Sequence, residues 1–398
     1  MTYTPDQIDA TMKQLYSGRR PENMACQRYP TLMKMKKVGG FTGSNMKVPI
    51  YTGFGGGSSG TIGNAIANAS QSSRAAFILT RAQRFAVLQI GAETIYAADG
   101  NKGSFVKELK REGDHKIKLM GKDSAFELMG DGTGVLGTVA SYSGADPYVI
   151  TLSNARDTRK FNIGQVISED GLPTAGGWTA TIEKIDSVAG TITTVSAPSG
   201  GTPAGSDSIY TDGDANSRVA QGIGAWIPHA APTSTPFFGV DRTVHPQYLA
   251  GHRQTLGGVG IGENYIRLNE DIGDAGGNPD YGVLSHKNFA KLCIEEEQKA
   301  QTEQPAKGAT VGFQFVTIQT STGPMKIYPD PSCPDNRGYS LTMADWEIRY
   351  MGPGFPHMVK DDNNTGLRGA LTDSLEQRFR QWWQPACYAP GHQGVFSI

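Results

Sequence analysis

Residues Met46–Gly53 read as a β-strand that leads into a small, polar, glycine-rich stretch, Gly53-Phe54-Gly55-Gly56-Gly57-Ser58-Ser59-Gly60. The chain stays small and polar to Ser73, then turns apolar from Arg74 to Ile90, 17 residues without a glycine or proline. Branched and aromatic residues with no breaker predict one long return strand, so Met46–Ile90 reads as an extended hairpin. At ~3.3 Å per residue that strand spans roughly 56 Å, close to the ~55 Å diameter of a compact globule of this chain length. A two-stranded ribbon of that reach is marginal in water. It predicts a support, and the simplest support is another copy of the same chain.

The period then changes. Asn101–Met129 predicts a helix, with Val106, Leu109, Ile117, Met120 and Leu128 near one stripe. Lys107, Lys110, Arg111, Lys118 and Lys122 fall largely off that stripe, Gly113 and Gly121 weaken the pattern, and Asp131-Gly132 ends it. Upstream, Thr4-Pro5-Asp6 caps a short helix with Ile8, Met12 and Leu15 at helical spacing. From Gly132 to Ala215 short β-type runs alternate with turn signals: Pro147–Leu152, Gly164–Glu169, Trp178–Asp186, Gly190–Val195 and Ser208–Asp212. This stretch is acidic and has no helical period, so it predicts a small β-barrel inserted into a larger domain. Beyond a loop-rich segment, Arg218–Gln254, helices are predicted over Gly262–Ala275 and from a Ser285 cap to Gln301. Strands are predicted at Tyr281–Leu284, Phe313–Thr320, Met325–Tyr328, Ser340–Met343, Glu347–Met351 and Ser374–Tyr388. The fold class is α+β.

Charge sharpens this picture. Asn23–Ala92 contains no acid but holds Arg28, Lys34, Lys36, Lys37, Lys47, Arg74, Arg81 and Arg84. Such a strip needs opposite charge, from a neighbouring copy, wherever it is buried. The whole chain, at net charge −1 over 398 residues, is no general nucleic-acid binder. Its 51 glycines favour turns and irregular β structure over a helical bundle. Cys26, Cys293, Cys333 and Cys387 form no CxxC pair and read as reduced thiols. There is no signal-peptide pattern and no apolar run near ~18 residues, which predicts a soluble protein made in the cytoplasm, with no membrane partner. In that compartment the sequons at Asn68 and Asn363 are chance matches.

Catalytic and cofactor chemistry finds little footing. Gly55–Gly60 matches GxGxxG, but a dinucleotide site needs an acid ~20 residues later, and none occurs before Glu93. No GxxxxGK[ST] or HExxH motif occurs. The histidines (His115, His229, His245, His252, His286, His357, His392) show no metal-ligand spacing, and Asp361-Asp362-Asn363-Asn364 lacks the alternation of a calcium loop. No enzyme, cofactor or metal is therefore expected. The five cations of the Asn101–Met129 helix suit either weak phosphate contacts with packaged DNA or an ordinary solvated face. Phe379, Trp382 and Trp383 read as core.

The order of these elements resembles the major capsid protein of tailed bacteriophages, the HK-ninety-seven-type fold. The resemblance is carried by Phe237-Phe238-Gly239-Val240-Asp241-Arg242 with Leu249-Ala250-Gly251-His252-Arg253, by Pro279-Asp280-Tyr281-Gly282-Val283-Leu284-Ser285, by Pro324–Pro334, and by the closing Ala386–Val395. It implies an N-terminal arm (1–45), an extended hairpin loop (46–91), a spine helix (92–131), the inserted barrel (132–217), a peripheral-domain continuation (218–278), an axial domain (279–370) and return strands (371–398). The implied function is a shell protein that self-assembles into hexamers and pentamers of an icosahedral head around double-stranded DNA. Gly53–Gly60, with Phe54, is then the inter-subunit hairpin tip, and Lys107, Lys110, Arg111, Lys118 and Lys122 face the lumen. The chain reaches its arm within about 20 residues, which implies a separate scaffolding protein. A portal and a decoration protein are further partners of this class. Some relatives cross-link a hairpin lysine to a neighbour, but Gly53–Ser73 has no lysine. A virion module that binds a receptor or carbohydrate through the β insert is the rival reading.

Overall fold

The computed structural model describes residues 29–53, 55–91, 102–169, 177–214, 219–255, 258–299, 315–359, 367–368 and 374–398. The predicted helix around Ile8–Leu15, Cys26, Phe54 and the Asp361–Asn364 run lie outside the described residues. The chain divides into two compact units, Phe126–Ala225 and Met1–Ala125 with Trp226–Ile398.

The smaller unit is a closed barrel of six strands in the order β10-β5-β6-β9-β8-β7. Its strands are β5 (Gly137–Ser143), β6 (Val149–Leu152), β7 (Val166–Ser168), β8 (Thr179–Asp186), β9 (Thr191–Thr194) and β10 (Ser208–Thr211). Alternation sends Val139, Ile150, Leu152, Ile167, Ile182, Ile192 and Ile209 inward around Trp178. The buried indole donates its N–H to Asp207 Oδ2 at 3.1 Å. The five predicted runs fall on β6 to β10. Strand β5 was not predicted, because Gly-Thr-Val-Ala-Ser-Tyr-Ser offers few β-branched apolar positions. Closure removes the free edges that so short a sheet would otherwise expose.

The larger unit is built on two six-stranded sheets. One joins β1 (Lys36–Val38), β16 (Trp346–Met351), β19 (Ser374–Cys387) and β17 (His357–Met358), with β4 (Ala82–Gly91) and β18 (Leu367–Arg368) also pairing β19. The long helix α3 (Lys102–Met129) lies on it. Gly113 permits this approach: a Cβ there would stand 3.5 Å from the Phe379 ring. Ser124 Oγ accepts from Gln381 Nε2 at 2.8 Å, and Asp123 pairs with Arg84 at 3.1 Å. Phe379 and Trp383 are fully buried, as core residues should be, whereas Trp382 is half-buried, with the Arg380 guanidinium 4.4 Å from its ring.

The second sheet runs β11 (His252–Gln254), β20 (Gly394–Ser397), β15 (Arg337–Leu341), β12 (Tyr281–Leu284), β14 (Gly323–Pro329) and β13 (Val316–Thr320). Helices α6 (Ile261–Asp274) and α7 (His286–Lys299) bury Ile261, Tyr265, Leu268, Ile272, Phe289 and Leu292 against it. Ser285 caps α7, its Oγ accepting from Asn288 N at 3.4 Å. Shorter helices are α1 (Pro30–Lys34), α2 (Ile62–Ala67), α4 (Ile223–Trp226) and α5 (Pro246–Ala250). Downstream of β11 the chain passes between the two sheets twice, from β15 to β16 and from β19 to β20. Gln393, fully buried, braces both passages. Its Oε1 accepts from Thr342 N at 2.8 Å and Trp346 Nε1 at 3.0 Å, and its Nε2 donates to Asp345 Oδ2 and Ala389 O, both at 3.2 Å. Residues ahead of β1 are tied down by Asp330, whose Oδ2 accepts from Thr31 N at 3.0 Å, and by Lys34, whose Nζ lies 4.4 Å over the Tyr281 ring. Cys333 and Cys387 are buried and Cys293 half-buried, and none of the three forms a disulfide among the described residues.

The hairpin differs from the sequence expectation. Strand β2 (Asn45–Gly53) pairs antiparallel with β3 (Ser73–Thr80), from Asn45 opposite Thr80 to Gly53 opposite Ser73. The apolar run Arg74–Ile90 is not one strand: it breaks at Arg81, and β4 leaves the hairpin to pair with β19. Arg81 holds this break by donating to Phe41 O at 3.0 Å, with its guanidinium 5.3 Å from the Phe41 ring. At ~3.3 Å per residue the ribbon reaches roughly 30 Å, not 56 Å. On β3, Ile78 N turns away from β2 and donates to Phe238 O at 2.9 Å. The antiparallel alternation therefore turns the backbone of Lys47, Pro49 and Tyr51 to the open edge of β2.

Candidate assembly surfaces

One face of the hairpin base is buried within its own chain. Val48, Ile50, Phe77 and Leu79 lie inside, and the Phe77 ring meets Trp226 edge-on at 5.0 Å and Phe237 at 6.1 Å. The ribbon is therefore supported by the 226–240 segment, and the part left without support is its tip.

That tip is folded. Gly55 (φ 80°) and Gly56 let the outgoing chain close on the returning one: a Cβ would stand 2.4 Å from Ser70 O and 2.6 Å from Asn68 O respectively. Gly56 N donates to Ser70 Oγ at 2.6 Å. The glycines thus serve close approach rather than looseness. Helix α2, which sequence reading missed, follows Gly60 and carries neither acid nor base. Its Ile62 and Ile66 are 79% and 69% exposed, one turn apart. Their i, i+4 spacing inside an otherwise small and polar segment was the available signal. The GxGxxG stretch sits between antiparallel strands, not in the parallel βαβ unit that a dinucleotide requires.

The cations of α3 do not share one environment. Side chains of Lys107 and Lys110 lie outside the described residues. Lys118 is exposed, whereas Arg111 and Lys122 are half-buried. Burial lowers the Lys122 ammonium from its ordinary pKa, with Asp123 opposing the shift. Ile117, expected inward, is exposed, and its place against the sheet is taken by Gly113 and Ser124. Part of the acid-free strip also finds acids within its own chain, since Lys36 pairs with Glu347 and Arg84 with Asp123. Among the described residues no group of three His, Cys, Asp or Glu side chains is placed to hold a metal ion. No described helix is long and apolar enough to cross a membrane.

The family model of the SU10 major capsid protein matches residues 204–367. No curated protein sequence matches the chain. Among solved structures, a chain of the cyanophage A-1(L) capsid asymmetric unit is 10% identical with a TM-score of 0.55, covering 96% of this chain and 97% of that one. The holo-SrpI encapsulin complex of Synechococcus elongatus is 8% identical with a TM-score of 0.49, covering 98% and 94%. A Mycobacterium phage Ogopogo chain is 10% identical with a TM-score of 0.44, covering 98% of both. The α+β fold with its closed barrel is thus of the HK-ninety-seven type.

Proposed function

We infer that the chain works by self-association: it is a major capsid protein of the tailed-phage type, a structural protein of the virion and not an enzyme, and its copies assemble into capsomers. The family match across residues 204–367, on a capsid fold, carries this reading. In the finer reading the capsomers are hexamers and pentamers of an icosahedral head that encloses double-stranded DNA. The hairpin tip, Gly53–Gly60 with α2, overlies the neighbouring subunit. A separate scaffolding protein, a portal and a decoration protein complete the head, and assembly takes place in the host cytoplasm. The domain plan is an arm to residue 45, hairpin to 91, spine helix to 131, barrel to 217, peripheral continuation to 278, axial domain to 370 and return strands to 398. Individual contacts are weak, but each copy makes several, so the closed shell is held by multivalency.

Lys107, Lys110, Arg111, Lys118 and Lys122 are assigned to the lumen, where contact with DNA is sequence-blind. Neutralising Lys107, Lys110 and Lys118 together should reduce DNA retention under low-salt stress without stopping closure; unchanged retention refutes that assignment. The shell reading itself is tested by electron microscopy of the purified protein. Large closed particles are expected, and a population of nothing beyond small oligomers would overturn it in favour of a binding module.

A further inference from the structure

Helices α6 and α7 lie on the same sheet and are antiparallel, because Glu295 of α7 reaches the start of α6 and accepts from Ile261 N at 2.8 Å. Their charges differ: the outward stripe of α6 is acidic, whereas the first half of α7 presents lysines, ahead in sequence of Glu295, Glu296 and Glu297. The outward stripe of α6 holds Glu263, Glu270, Asp271 and Asp274 against one cation, Arg267, which pairs with Glu263. The outward stripe of α7 holds Lys287 and Lys291. Among the described residues, Glu270, Asp274, Lys287 and Lys291 have no ion-pair partner.

Neither stripe suits its own helix. Asp271 and Asp274 stand in the last turn of α6, where the helix dipole favours cations. Lys287 stands in the first turn of α7, which has no acid. Glu270 and Asp274, and Lys287 and Lys291, are like-charged pairs at i, i+4, an arrangement that destabilises a helix. Each stripe also exposes one isoleucine, Ile266 at 43% and Ile294 at 56%. Beside the acidic end a polar cleft of about 410 Å³ opens, lined by Tyr248, His252, Arg253, Asp271 and Asp274 among others. Arg253 Nη1 donates to Gly251 O at 3.1 Å and to Ala250 O at 3.3 Å.

We propose that these stripes are the two halves of one contact between neighbouring copies: the acidic face of α6 on one subunit receives the lysine face of α7 on the next, with Ile266 and Ile294 at its centre. The charge complementarity commits the partner to a second copy of this chain. Every copy carries both strips, so the acidic strip of one copy can receive the lysine strip of the next. The contact relieves the dipole and like-charge conflicts of both helices at once. It rests on the shell reading and adds to it a named, polar and salt-sensitive seam outside the hairpin.

A charge-swap series on the full chain tests it. One variant carries Glu270→Lys and Asp274→Lys, a second carries Lys287→Glu and Lys291→Glu, and a third carries all four. All substituted side chains are exposed, so each variant should melt within about 2 °C of wild type. Each of the first two should lose closed particles by at least about tenfold in 0.1 M salt, a difference equivalent to about 1.4 kcal/mol. Mixing those two, or using the fourfold swap, should recover particles. Unaltered assembly of both two-site variants would overturn the proposal, and so would loss that neither mixing nor the fourfold swap repairs. Absence of particles from the wild type would instead sink the shell reading.

Discussion

Truncating Phe77 to alanine separates the anchored half of the hairpin from its projecting half. The ring is fully buried between Trp226 and Phe237, with centroids at 5.0 and 6.1 Å. Removing a buried phenylalanine costs about 3–5 kcal/mol, and edge-on aromatic partners push the value toward the upper end. The larger unit has roughly 300 residues. At ~2.1 cal/mol/K per residue its unfolding entropy is about 0.6 kcal/mol/K, so Phe77→Ala should lower the melting temperature of the free subunit by about 5–8 °C. The double change Ile62→Ser with Ile66→Ser removes larger aliphatic groups in total, but from exposed positions. Surface changes of this kind stay within about 0.5 kcal/mol each, so the shift should be under about 2 °C. Closed-particle yield should respond in the reverse order: the tip variant assembles poorly while melting normally. Circular dichroism melts of the unassembled subunit and sedimentation of assembly mixtures read the two quantities separately. A Phe77→Ala subunit that melts like wild type, or a tip variant that melts several degrees lower, would refute the division into anchored base and projecting tip.

Two further outcomes are expected. A fragment of residues 126–225 should be soluble, β-type by circular dichroism and cooperative in melting, since its strands close on their own core; a disordered spectrum would show that closure depends on the rest of the chain. Burial holds the imidazoles of His252 and His357 below the ordinary value of 6.5. The folded state thus takes up fewer protons there than the unfolded state. This contribution is fully present above about pH 6.5 and is lost as the pH falls through the folded-state values. Urea titrations from pH 7.5 to pH 5 should show falling stability, with a shallower slope in His252→Gln; a stability that rises on acidification in both proteins would contradict the assignment.

Local chemistry carried much of this architecture. The barrel strands β6 to β10 were marked by alternation and by glycine, aspartate and proline between them, and α6, α7 and α3 by their period. What failed was decided by distant partners. Nothing within Arg74–Ile90 signals the break at Arg81, because the groups that hold it are Phe41 and the competing strand β19. Lys122 looks like any solvated lysine until the body of the fold half-covers it. The use of the tip glycines, close approach to Ser70 and Asn68, depends on how the loop returns.

The open edge of β2 has Pro49 at its middle, between Lys47 and Tyr51. A free strand edge is a template on which a foreign strand extends the ribbon, and repetition of that step produces fibres. Proline offers no N–H at the central position, and Lys47 places a charge beside the gap. An incoming strand would meet an interrupted ladder and a desolvated ammonium. The hairpin can therefore be long and outstretched without nucleating open-ended polymers, and growth is steered toward contacts whose geometry terminates in a closed surface.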